Sequence, residues 1–112
     1  MREPTKSVKR ALRRLSAAAH EEELRRALLP VAAAFEEWRA GQLGSGELTE
    51  RIHDFHQGPA RGLFKRYHSG PPEYAVARAI VVGVLDRKAV PADVLEHCKG
   101  AIEFLEKTSG DG

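Results

Sequence analysis

Tyr74-Ala-Val-Ala-Arg78-Ala-Ile80-Val-Val-Gly83-Val-Leu85 is the most apolar run of the chain, and its reading decides the fold. The β-branched triplet Ile80-Val81-Val82 would suit a strand. The run, however, is longer than an ordinary strand of about five or six residues, and Pro71-Pro72 ahead of it suit the first turn of a helix. The pattern therefore predicts a helix over about residues 72–87. It is too short for the ~20 apolar residues of a membrane span, and Arg78 interrupts it. A helix with almost no polar face lies at the centre of a core or is shared with a second chain.

Working outward, the flanking segments carry stripes of helical period and no period-two alternation. Thr5 is placed to cap a first helix running to about Ala18, with Val8, Leu12 and Leu15 on one face. A second begins near His20, where Glu21, Glu22 and Glu23 suit the positive end of a helix dipole. Its stripe Leu24, Leu28, Val31, Phe35 and Trp38 keeps phase across Pro30, which points to a kink rather than a division. Gly41-Gln-Leu-Gly-Ser-Gly46 reads as a loop, with Ser45 as cap of a third helix over about 46–57 that buries Leu48, Ile52 and Phe55. Gly58-Pro59 is expected to end it and to start a fourth, about 59–68, with Leu63, Phe64 and Tyr67 inward. A last helix opens at Pro91 and turns Val94, Leu95, Cys98, Ile102 and Leu105 to one side.

The expectation is an all-α protein: a compact bundle of five to six short helices around a central apolar helix at about 72–87. Its 112 residues fit a single domain over 1–112, with about 1–4 and 108–112 as flexible ends. So few remaining residues cover an all-apolar helix poorly, and Trp38 stands near a helix end, so a homodimer is expected. Cys98 is the lone cysteine, which excludes an internal disulfide and fits a reducing cytoplasm. No small-molecule ligand or cofactor is evident, and no segment suits a membrane.

Charge is unevenly spread. The formal net charge is +2, yet Arg2, Lys6, Lys9, Arg10, Arg13 and Arg14 face only Glu3 in the first fifteen residues, so the remainder is net acidic. Lys6, Lys9, Arg10, Arg13 and Arg14 fall opposite the apolar stripe of the first helix. That face suits phosphates or an acidic protein surface. Arg61, Lys65 and Arg66, beside Tyr67 and His68, form a second basic group that would merge with the first if the two helices pack together.

Two chemical readings centre on Glu50-Arg-Ile-His-Asp-Phe-His-Gln-Gly-Pro-Ala-Arg61. His53 and His56 are three apart and so neighbours on a helix surface, and with His68 they make a candidate metal set. In addition, Arg51-Ile52-His53-Asp54-Phe55-His56 resembles the Arg, apolar residue, three variable residues, His signature of HEPN-type ribonucleases, which are compact helical domains that often dimerise. The resemblance implies that Arg51 binds a scissile phosphate and that His56 serves in general acid–base chemistry without a metal. It covers six residues. At about 100° per residue the two side chains stand about 140° apart on a regular helix, so they converge only through a bend or a partner chain. Similar Arg-to-His spacings recur at Arg13 and Arg14 with His20 and at Arg61 with His68.

Other chemistries find less. Cys98 adjoins His97, but adjacent helical residues point apart, and Cys98 lies on the inward stripe as a core thiol. Gly41-x-x-Gly44-x-Gly46 lacks the Lys-Ser/Thr and preceding strand of a phosphate cradle. The chain is thus expected to act by binding, as a non-enzymatic helical interaction or regulatory module contacting nucleic acid or an acidic partner through its first helix.

Overall fold

The computed structural model describes residues 4–109, and every regular element among them is helical. Helix α1 spans Lys6–Arg39, α2 Ser45–Phe55, α3 Arg61–His68, α4 Pro72–Val81 and α5 Ala92–Ser109. A π turn, His56–Ala60, joins α2 to α3, and a short 3-10 turn, Arg87–Ala89, precedes α5. Of the flexible ends expected at about 1–4 and 108–112, residues 1–3 and 110–112 lie outside the described residues. Thr108 belongs to α5, where its hydroxyl donates to the Phe104 carbonyl at 3.1 Å.

The helix count differs from expectation for two local reasons. First, the anticipated first and second helices are one element of 34 residues. Ala17-Ala18-Ala19 continues the helix, because alanine is the best helix former and no cap or glycine intervenes. Pro30 costs the Arg26 carbonyl its usual donor, yet the helix runs through it. Second, Gly58-Pro59 does not stop the chain. A widened turn absorbs the proline, and backbone angles stay helical from Phe55 through Arg61. The result is four continuous helical stretches among the described residues, not five to six short helices.

The compact shape is not found either. At 1.5 Å per residue α1 alone is about 51 Å long, and the molecule measures 57 × 33 × 24 Å. Its radius of gyration is 17.5 Å, against roughly 13 Å for a compact chain of this length. Two separate cores hang on α1. The larger gathers Val8, Ala11 and Leu12 of α1 with Val76, Ala77 and Ile80 of α4 and Val94, Cys98 and Ile102 of α5. The smaller, at the far end, holds only Ala34, Leu43 and Leu48. Between them the second half of α1 and α2 form a two-helix arm.

The decisive segment is helical, but it is shorter and less enclosed than expected. Gly83 adopts φ +82°, a left-handed conformation that glycine takes at little cost. It closes α4: the Gly83 amide donates to the Ile80 carbonyl at 3.3 Å and the Val84 amide to Ala79 at 2.8 Å, the paired bonds of a Schellman cap. Ala75, Val76, Ala77, Ala79 and Ile80 are buried between α1 and α5, whereas Tyr74 and Val82 face outward. Gly41, at φ +79°, ends α1 in the same way.

Several inward assignments change with this architecture. Leu63 is buried, but Phe64 is 57% exposed. Leu48 is buried, but Ile52 is exposed. On the arm, Leu28, Phe35 and Trp38 stay 38–45% exposed. Gly44, not Ser45, is the cap of α2; the Ser45 hydroxyl instead accepts from the Trp38 indole at 2.9 Å. Among the described residues no helix is long and apolar enough to cross a membrane.

Candidate functional site

The first half of α1 is fixed on one side and charged on the other. The Thr5 hydroxyl caps it, accepting from the Val8 amide at 3.1 Å. Val8, Ala11, Leu12, Ser16 and Ala19 are buried. Lys6, Lys9, Arg10, Arg13 and Arg14 are all exposed and occupy the opposite arc, so the expected basic face exists as a ridge on an anchored helix. Its position is electrostatically unusual. The N-terminus of a helix is its positive end and favours carboxylates, yet the first turn of α1 carries none. Lys6, in that turn, adds to the dipole instead of balancing it.

About two and a half turns beyond the ridge, α3 packs across α1 and is pinned by Glu23. The Tyr67 hydroxyl donates to the Glu23 carboxylate at 2.6 Å, Arg78 of α4 at 3.2 Å, and Arg66 pairs with it at 3.6 Å. Burial raises the Glu23 pKa. The hydrogen bonds from Tyr67 and Arg78 and the two guanidinium charges outweigh that, and the carboxyl sits below its ordinary value. Burial, followed by the bond to Glu23 and its charge, pushes the Tyr67 hydroxyl well above the ordinary tyrosine range.

This clamp holds a chain of rings. His20 stacks on Tyr67 with centroids 4.9 Å apart, His68 meets His20 edge-on at 5.7 Å, and Phe64 stacks on His68 at 4.2 Å with planes 17° apart. Two hollows flank it. One of about 580 Å3 is lined by Arg13, Ser16, His20, Glu21, Tyr67 and His68, among others. The other, about 430 Å3, is formed by His56, Gln57, Ala60, Arg61 and Phe64. Of the two basic groups of the sequence, Arg13 shares a hollow with Tyr67 and His68, whereas Arg61 lines the other hollow and Arg66 turns to Glu23.

The ribonuclease pair is not brought together within the chain. Arg51 reaches across to Glu37 of α1, 3.4 Å away, and both are exposed. His56 lines the hollow with Arg61 and Phe64, in which Arg51 has no part. The candidate metal set is also dispersed: His53 is exposed on α2, while His68 is engaged with Phe64 and its Nδ1 lies 2.9 Å from the Phe64 carbonyl. Among the described residues no three His, Cys, Asp or Glu side chains gather to hold a metal.

Elsewhere, Cys98 is buried as the inward stripe implies, and burial, with the charge of Glu73, pushes its thiol up to about 11. His97 pairs with Glu73 at 3.4 Å. A hollow of about 740 Å3 is an open apolar trough between α4 and α5 with Tyr74, Ala101, Phe104 and Leu105 in its walls. Sequence reasoning missed the ring chain. Arg61, Phe64 and His68 at i, i+3 and i+7 share one helix face, which was a readable signal; the approach of His20 from another helix was not.

Comparison of the chain with protein-family models, with curated proteins and with solved structures finds no match.

Proposed function

We propose that the protein is a non-enzymatic binding module whose α1 ridge engages a polyanion. The observation that carries this is the placement of Lys6, Lys9, Arg10, Arg13 and Arg14, all exposed, on the positive end of α1 with no carboxylate in its first turn. Lys6, in the first turn, opposes the helix dipole by about 0.3–1 kcal/mol, and the cations after it extend the same positive face. A bound anion reverses the sign of that contribution, so the arrangement favours the bound state over the free one. The opposite face of this stretch is locked into the larger core, so the ridge is rigid before a partner arrives.

The test is binding of fluorescent heparin, a polyanion without bases, across a salt series. Affinity should fall steeply between about 50 and 200 mM salt, in proportion to the number of ionic contacts. Reversing Arg10, Arg13 and Arg14 to glutamate should abolish it. Absent or salt-independent binding contradicts the reading.

A second element of the proposal is self-association, on a surface other than the apolar helix that first suggested it. Leu28, Phe35 and Trp38 share one half-exposed face of α1, and Ile52 of α2 is also exposed, on an arm whose own core among the described residues is Ala34, Leu43 and Leu48. Two arms set side by side would make a four-helix arrangement related by a two-fold axis, each covering the other's stripe. Light scattering should give twice the chain mass, and Leu28→Glu with Trp38→Glu should give a monomer. A wild-type monomer at micromolar concentration opposes this element alone.

A further inference from the structure

We infer that the polyanion is a single-stranded nucleic acid, and that the exposed face of Phe64 is a plate on which one of its bases stacks. The inference rests on the reading of the α1 ridge as a polyanion site and names the partner class. Three observations carry it. Leu63 already supplies the inward anchor of α3, so Phe64 is not needed for packing, and it stands 57% exposed. Its inner face is covered by the His68 imidazole at 4.2 Å, nearly parallel, which fixes the ring and leaves the outer face open. Phe64 lines the hollow shared with Arg61, Gln57 and His56, while His68, the other ring of the stack, lines the hollow that contains Arg13 of the ridge.

A strand laid along α1 thus passes from the ridge over Arg13, past His20 and His68, to an aromatic plate beside another guanidinium. A run of cations leading to an exposed ring beside a further guanidinium suits unpaired bases on a phosphate chain, and stacking is tolerant of base identity. Duplex bases are already stacked on one another and offer no free face to Phe64. An acidic peptide would use the guanidiniums but leave the plate idle. One carboxylate, Glu21, lines the Arg13 hollow and opposes anions there; Glu23 is taken up by Tyr67, Arg66 and Arg78. The Tyr67–Glu23 bond, the Arg66–Glu23 pair and buried Leu63 together tie α3, and Phe64 with it, to the rest of the fold.

Fluorescence anisotropy of a labelled 15-nucleotide oligouridylate tests this, with a 15-base-pair duplex, heparin and polyglutamate as competitors. The expected result is preference for the single strand over duplex and polyglutamate. Phe64→Ala should weaken the oligonucleotide about tenfold and leave heparin affinity unchanged; Phe64→Trp should restore it. Because Phe64 is exposed, circular dichroism should be the same for all three proteins. If heparin and the oligonucleotide bind but Phe64→Ala changes neither, or if duplex or polyglutamate competes better, the inference is overturned while the ridge stands. If neither heparin nor oligonucleotide binds, the ridge reading itself has failed.

Discussion

Glu23 provides a direct test of how the molecule is assembled. It lies mid-way along α1 and accepts from Tyr67 of α3 at 2.6 Å and from Arg78 of α4 at 3.2 Å, with its side chain only 13% exposed. Replacing it by alanine strands a half-buried hydroxyl and a half-buried guanidinium together. A hydrogen bond to a charged group contributes about 1.5–3 kcal/mol and a neutral one about 1. Discounting for the solvent that reaches Arg78, Glu23→Ala should cost about 3 kcal/mol, and Glu23→Gln, which keeps an acceptor for Tyr67, about 1.5 kcal/mol. Urea unfolding gives both values, and the melting temperature should fall roughly 10–15 °C for the alanine variant.

The pH dependence follows from the lowered carboxyl. A group whose folded pKa is depressed stabilises the fold above its unfolded value and loses that contribution as pH falls through the folded one. The stability gap between wild type and Glu23→Gln should therefore be full at neutral pH, and should close as pH drops below the ordinary value of 4.5 and then through the lowered one. A loss below about 0.5 kcal/mol for Glu23→Ala, or a gap that is flat down to pH 2, would refute the claim that this carboxylate ties α3 and α4 to α1.

Further outcomes follow from the same structure. Pro30→Ala should stabilise the chain by about 1–3 kcal/mol, because it restores a donor to a continuous helix, and a loss on chemical denaturation would mean that α1 is divided there. Lys6→Glu should raise the melting temperature of the free protein while weakening heparin, since a carboxylate suits the helix start that a lysine opposes; parallel changes in both would contradict the dipole argument. Cys98, buried and raised to about 11, should resist iodoacetamide at pH 8 until denaturant is added, as mass spectrometry would show. Gly83→Ala should cost about 1–2 kcal/mol by forcing a side chain into the left-handed cap of α4, measurable by thermal melting.

Much of the fold was legible because it depended on local rules. The helical period of every segment, the capping by Thr5, the inward row of Val94, Cys98 and Ile102, and the solvent-facing side of the first helix all follow from spacing along one helix. What spacing does not carry is whether two helices in register are joined. Ala17-Ala18-Ala19 and the π turn at His56–Ala60 each merged two expected helices into one, and that changed a compact bundle into an elongated one. The stripe Leu28, Phe35 and Trp38 was correctly read as apolar, but burial is a property of the partner element, and the described residues leave it 38–45% exposed.

The functional surface divides in the same way. The cationic ridge was readable residue by residue. The ring chain was not, because His20 and Tyr67 are 47 positions apart and meet only once α3 has crossed α1. The Arg51 and His56 motif shows the converse: residues close in sequence that the helix turns to different neighbours, Glu37 for one and Arg61 for the other.

Amide-resolved NMR during titration with unlabelled heparin fragments addresses the central claim most directly, since it locates the contact without any substitution. The largest shifts are expected at Lys6 to Arg14, diminishing in 300 mM salt. Shifts confined to the trough between α4 and α5, or none at all with the fold intact, would contradict it.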